Sequence, residues 1–148
     1  MNFLKRRRLV QLDLDELIPG CKYFRWKEVL WLNSWKVFVY PTDAQYLGML
    51  EFAKRMDYVR EYLGVPVIVT SGVRPHLYNQ KIGGSFYSAH RLGRAMDFHT
   101  KKIPADRVRE ILLPILGDIP VRMEDLPGSN WVHIDNRDPG KGNRFFKP

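Results

Sequence analysis

Between residues 42 and 72 the chain marks out one helix and one strand with both ends of each defined. This unit limits the possible folds more than any other stretch. Thr42 and Gln45 have the spacing of a capping box, in which each side chain accepts the other's backbone N–H. Apolar side chains then recur at Met49, Phe52, Ala53, Met56, Val59 and Leu63, which is one helical face. Gly64 suits a left-handed C-cap, and Pro66 blocks continuation. Residues 67–70, Val-Ile-Val-Thr, read as a buried strand that ends at Ser71 and Gly72.

Weaker signals complete the outline. Residues 75–82 form a short helix closed by Gly83 and Gly84. Residues 95–99 alternate, sending Met96 and Phe98 to one face and Asp97 and His99 to the other. Pro104 suits the first position of a helix whose apolar face holds Val108, Ile111, Leu112 and Ile115. Residues 121–124 and 131–135 read as the two strands of a hairpin, joined through residues 126–129. The fold class is therefore α+β, a small and mainly antiparallel sheet packed with helices. Residues 1–20 are charged and end at Pro19 and Gly20, so they read as a basic N-terminal arm or lead-in. Residues 21–148 make a single domain. The aromatic group Tyr23, Phe24, Trp26, Trp31, Trp35, Phe38 and Tyr40 reads as core packing. A domain of this size buries roughly 70% of its unfolded surface and folds without disulfides. It has to, because Cys21 is the sole cysteine and reads as a small buried hydrophobe.

The formal charge of +8 favours anionic partners, either nucleic acid or an anionic cell envelope. The run Lys-Arg-Arg-Arg at 5–8 belongs to this excess. No helix-turn-helix, zinc-finger or RNA-binding motif supports a specific nucleic-acid partner. No apolar stretch approaches the roughly 18 residues of a membrane span. A secretory signal is also not read, since Gln11, Asp13, Asp15 and Glu16 interrupt the segment after the basic run. The expected place of synthesis and residence is the cytoplasm unless another route releases the protein.

Of the four histidines, His90 and His133 have informative surroundings. Residues 88–97 read Ser-Ala-His-Arg-Leu-Gly-Arg-Ala-Met-Asp, and residues 131–135 read Trp-Val-His-Ile-Asp. A catalytic zinc commonly takes three protein ligands and keeps a fourth position for water, whose pKa it lowers to about 7. Two imidazoles and one carboxylate fit that need. His90 would lie on a loop turned by Gly93, Asp97 on the next strand and His133 on the hairpin. On the residues alone, His90 and Asp97 also fit a packed polar pair. His76 reads as a surface residue, and His99 as a side chain that could face the site beside Asp97.

Taken together, these segments resemble the zinc D-alanyl-D-alanine peptidases and phage endolysin peptidases, a superfamily that includes the hedgehog signalling domain. The family pattern Ser-x-His-x-x-Gly-x-Ala-x-Asp is matched at Ser88, His90, Gly93, Ala95 and Asp97. Trp131 and His133 match the strand with the third ligand. Leu63, Gly64 and Pro66 precede a hydrophobic strand and then Ser71, Gly72 and Arg74, in the family's order. Asn79, Gly83 and Gly84 fall where the family often has Asn and Gly-Gly, and the similarity spans residues 22–135. The resemblance implies zinc held by His90, Asp97 and His133, with Arg74 and Ser88 on the substrate. Arg74 would orient a carboxylate or stabilise the oxyanion.

One departure matters. Many members place a catalytic Glu three residues before the last His, and Asn130 stands there. An amide cannot serve as a general base. Glu124 is the first substitute, on the strand paired with that of His133; Asp125 is the second and Asp135 the third. The expected function is hydrolysis of peptidoglycan stem peptides, as a carboxypeptidase or an endolysin-like endopeptidase, with an anionic envelope as partner. Action on the cell wall would follow phage-type lysis or another export route. The alternative is a non-catalytic metal-binding module of an envelope or phage particle on the same fold.

Overall fold

The computed structural model describes residues 12–148, so the basic run at 5–8 lies outside the described residues. Helix α1 (Trp26–Leu30) leads into a two-stranded hairpin, β1 (Trp31–Leu32) and β2 (Val37–Phe38). Helix α2 (Asp43–Leu63), strand β3 (Ile68–Ser71) and helix α3 (His76–Lys81) follow. A 3-10 turn (Ala89–Leu92) precedes β4 (Ala95–His99). Helix α4 (Ala105–Leu112) then leads to β5 (Arg122–Glu124), β6 (Val132–Asp135) and β7 (Phe145–Phe146). The main sheet has the order β3-β4-β6-β5-β7. Its pairings are antiparallel except that of β7 with β5. The fold is α+β, as the periodicities imply.

Alternation along these strands creates two unlike faces. Met96, Phe98, Met123, Val132 and Ile134 are completely buried and pack with Met49, Phe52 and Met56 of α2 and Val108 of α4. The opposite face carries Asp97, His133 and Asp135. The register sets Asp97 across from His133, and Asp135 across from both Ala95 and Arg122.

Helix α2 starts where its capping box places it. Gln45 N–H donates to Thr42 Oγ1 at 3.2 Å, and Thr42 N–H donates to Gln45 Oε1 at 2.9 Å. Gly64, with φ of 69°, closes its C-terminus. Inside the helix, Gly48 meets the loop before β4, where an added Cβ would stand 2.3 Å from the Leu92 carbonyl oxygen.

Three expectations change. Residues 67–70 are not a buried strand: β3 is a half-exposed edge of the sheet, paired only with β4. The aromatic segment divides, with Phe24 and Trp26 buried while Tyr23, Trp35, Phe38 and Tyr40 are exposed. The hairpin β1–β2 stands outside the main sheet and leaves its rings little to pack under. Residues 12–20, read as part of a lead-in, lie against the domain. Ile18 is fully buried, and Leu17 forms a bridge with Arg25.

Two predictions follow from packing. Alanine normally favours a helix interior over glycine by about 0.5–1 kcal/mol. At position 48 the Leu92 carbonyl reverses the sign, so Gly48→Ala should destabilise the protein by about 1–3 kcal/mol in urea unfolding. A variant more stable than wild type would show that α2 does not seat so closely. Burial pushes the Cys21 thiol up to about 12, and the thiolate is the reactive form. Cys21 should therefore resist iodoacetamide at pH 8 in the folded protein and react once urea unfolds it, as read by mass spectrometry.

Candidate active site

Helix α2 and the loop carrying His90 are built as one piece. Ser88 Oγ accepts the His90 N–H at 3.3 Å and caps the 3-10 turn. Gly93 ends the turn at φ of 68°, so close to the helix that a Cβ would lie 2.3 Å from the Gln45 carbonyl oxygen. Gln45 Nε2 donates to the Arg91 carbonyl at 3.0 Å. The capping residue of α2 thus also fixes the loop.

His90 is buried. The Gly72 carbonyl lies 2.7 Å from its Nδ1 and can only accept, so Nδ1 carries the proton. Nε2 then presents a lone pair, 3.1 Å from Asp97 Oδ1. His133 meets a carboxylate at each of its ring nitrogens. Its Nε2 lies 3.0 Å from Asp135 Oδ2, and its Nδ1 lies 2.8 Å from the same Asp97 Oδ1. Asp135 is gripped by Arg122 through two bonds of 2.8 Å and accepts the Arg137 N–H at 3.0 Å. Arg122 in turn lies over the Phe146 ring, 4.1 Å from its centroid. Asp97 Oδ2 is engaged by Arg74 Nη2 at 2.6 Å, and Arg74 Nε donates to Ser71 Oγ at 2.8 Å.

Electrostatics follow from these contacts. Burial lowers His90 and outweighs the attraction of Asp97. Burial also opposes charge on His133, but hydrogen bonds to Asp135 and Asp97 prevail and raise it to about 9. Burial would raise Asp97, yet His90 and His133 hold it well below the usual carboxylate range. Asp135 is likewise penalised by burial but brought down to about 2 by His133 and Arg122.

His90, Asp97 and His133 each offer one donor atom, all within 4.8 Å of one another. Loss of the proton that His133 Nδ1 shares with Asp97 would leave the inner Nε2, Oδ1 and Nδ1 as three acceptors facing one another, the exchange that metal binding brings about. Such a set fits a divalent cation, and two imidazoles with a carboxylate suit zinc.

Glu124 follows Arg122 by two residues on β5 and lines the same cavity as His133. Its carboxylate has no hydrogen bond or ion pair among the described residues. Ser88 and Arg74 also line that cavity. Asn130 is exposed and lines the neighbouring cavity with His99. Asp125 lines neither, and its N–H donates to the Phe146 carbonyl at 2.6 Å. Asp135, considered above as a base, is instead held by Arg122 and His133.

Some functional residues were not foreseen. The Gly72 carbonyl orients His90, but a backbone group leaves no side-chain signature. Arg122 and Phe146 come from elements whose pairing shows only in three dimensions. Arg109 of α4 is buried and staples the turn before His133, donating to the Trp131 and Ser129 carbonyls at 2.8 and 2.9 Å.

An α+β domain whose cleft gathers a His, a carboxylate and a second His has the make-up of a metallopeptidase. A family model described as Peptidase M15 matches residues 22–135. The chain belongs to that family and is a peptidase. A search of curated proteins returned no match to the chain.

Residues that orient metal-binding imidazoles typically matter about 10–100-fold in metal affinity. Asp135→Asn removes the charge behind His133 and should weaken divalent-cation binding at this group by about that factor in competition with a chelator. Unchanged affinity would mean that Asp135 does not orient the ring.

Proposed function

We propose that this peptidase is zinc-dependent and hydrolyses peptide bonds in peptidoglycan stem peptides. The observation that carries the reading is the convergence of His90 Nε2, Asp97 Oδ1 and His133 Nδ1 in a cleft. Zinc bound there would polarise the scissile carbonyl and activate water for attack.

The chain's own residues supply the rest. Glu124 accepts the water's proton on its carboxylate and passes it to the leaving amine nitrogen. Arg74 keeps Asp97 Oδ2 neutralised, while its remaining Nη1 faces the task of holding a substrate oxygen. Ser88 caps the His90 turn and retains its hydroxyl proton to donate to substrate. Among the described residues no helix is long and apolar enough to cross a membrane. The cell wall would be reached after release from the cytoplasm, with the basic surface favouring its anionic polymers. Asn130 in place of the usual Glu favours a second reading, a non-catalytic module on the same fold.

One experiment separates the two readings. Sacculi are incubated with the zinc-loaded protein and the released fragments identified by mass spectrometry. The wild type should release peptides, and His133→Ala should lose both zinc and activity. Glu124→Gln should keep its zinc and lose at least about 100-fold in turnover, as expected for a removed acid–base group. Near-normal turnover in Glu124→Gln would reject it as the base. A zinc-loaded wild type that releases nothing would favour the non-catalytic module.

A further inference from the structure

Strand β7 lies beyond residues 22–135, the stretch matched by the family model, yet it reaches the site. Alternation splits its two residues. Phe145 packs against the hydrophobic core, while Phe146 lines the cavity that also holds Glu124, His133 and Asp135. Two short backbone bonds pin the strand to β5. Met123 N–H donates to the Arg144 carbonyl at 2.7 Å, and Asp125 N–H donates to the Phe146 carbonyl at 2.6 Å. The parallel register sets Phe146 beside Glu124.

From there the Phe146 ring meets two side chains of the site. The Arg122 guanidinium carbon lies 4.1 Å from its centroid. The His133 ring stands edge-to-face with it, 6.1 Å between centroids. Those two side chains are the ends of one series of contacts. Arg122 Nε and Nη2 grip Asp135 at 2.8 Å each, and Asp135 Oδ2 lies 3.0 Å from His133 Nε2. Asp135 is buried, whereas the Arg122 side chain is 18% exposed, so Arg122 is the member that water can loosen. A guanidinium that gives two parallel N–H bonds needs its plane fixed, because a twist weakens both at once. An aromatic face supplies this: it attracts the cation and shields one side of it from water.

We propose that Phe146 is a positioning residue of the His90–Asp97–His133 group, holding Arg122 flat against Asp135 so that Asp135 keeps the His133 ring oriented. The proposal rests on the reading of that group as a zinc site and deepens it. It makes β7, an element outside the family match, part of what sets the affinity for the ion. Phe146 acts through Arg122 and not on the reacting atoms; of its two ring contacts, the one with Arg122 is the closer and the charged one.

The test measures zinc affinity of the full chain in competition with a chelator. Phe146→Leu keeps an apolar side chain and removes the ring face; it should weaken zinc binding about 5-fold, the scale of one cation–π contact. Phe146→Tyr restores a ring face and should bind zinc as the wild type does. In an Arg122→Gln background, Phe146→Leu should have no further effect, because the cation that the ring holds is gone. Losses that simply add would show that Phe146 only packs, and would overturn the proposal. A fluorinated phenylalanine at position 146 keeps the shape and draws electron density off the ring face. It should also weaken zinc binding, and it decides the matter where the leucine variant does not fold; affinity equal to wild type would overturn the role. A second readout needs no metal. In the zinc-free chain, the proton on His133 Nε2, followed by NMR, should exchange with solvent several-fold faster in Phe146→Leu than in wild type. A wild type that binds no zinc would reject the zinc site itself. The exchange rate would then decide the role of Phe146: a faster rate supports it, and an unchanged rate overturns it.

Discussion

The convergence of His90 and His133 on one oxygen of Asp97 is the constraint on which the rest of the site depends. His90 Nε2 and His133 Nδ1 both face Asp97 Oδ1, at 3.1 and 2.8 Å. The Gly72 carbonyl holds the His90 proton on Nδ1, and His133 donates through Nε2 to Asp135 and through Nδ1 to Asp97. Arg74 occupies Asp97 Oδ2 and leaves Oδ1 for the centre. A divalent cation bound there would take the place of the His133 Nδ1 proton, and the partners outside the ligand set would tune its affinity.

Those outer partners are held by close backbone approaches. A Cβ on Gly72 would lie 2.5 Å from the Val29 carbonyl oxygen, and the next residue, Val73, donates its N–H to that carbonyl at 2.8 Å. Arg74 N–H then donates to the His90 carbonyl at 3.0 Å. Helix α1, the end of β3 and the His90 turn are thereby locked in register. On the other side, Gly48 and Gly93 bring α2 against the same turn. The glycines that look like simple chain breaks serve to let backbones meet where a side chain would hold them apart.

How much of this was legible depends on where the information lies. The His90–Asp97–His133 group was readable because it consists of chemistry-bearing side chains in a specific order. The boundaries of α2 were readable because its caps are local. The link between them through Gln45 was not, since one residue serves both the helix and a loop 46 residues away. The exposure of Trp35 and Phe38 was misread because aromatic content alone does not say whether a neighbouring layer exists to cover it. Strand β7 was missed for a related reason: two residues with a parallel, long-range partner carry no periodicity of their own. Yet Phe146 reaches both Arg122 and His133. The pairing of Arg122 with Asp135 likewise became visible only with the register of β5 on β6.

The central sheet shows how a fold carries a site that does not stabilise it. Gathering acceptors, partly desolvated carboxylates and cations on one face costs free energy, since each buried charge must be matched. The reverse face offsets this with side chains that need no partner at all: Met96, Phe98, Met123, Val132 and Ile134, each fully buried beneath α2 and α4. Because neighbouring positions on one strand point to opposite faces, Asp97 sits between Met96 and Phe98, and His133 between Val132 and Ile134. Each ligand on these strands is thus fixed through its immediate neighbours in the core rather than through the metal it would hold. The geometry that would receive a cation is in this way set by burial of apolar surface, and a domain of this size should fold without the cation. That separation also leaves the rim of the cleft, where Glu124 and Arg137 stand, open to change without disturbing the core.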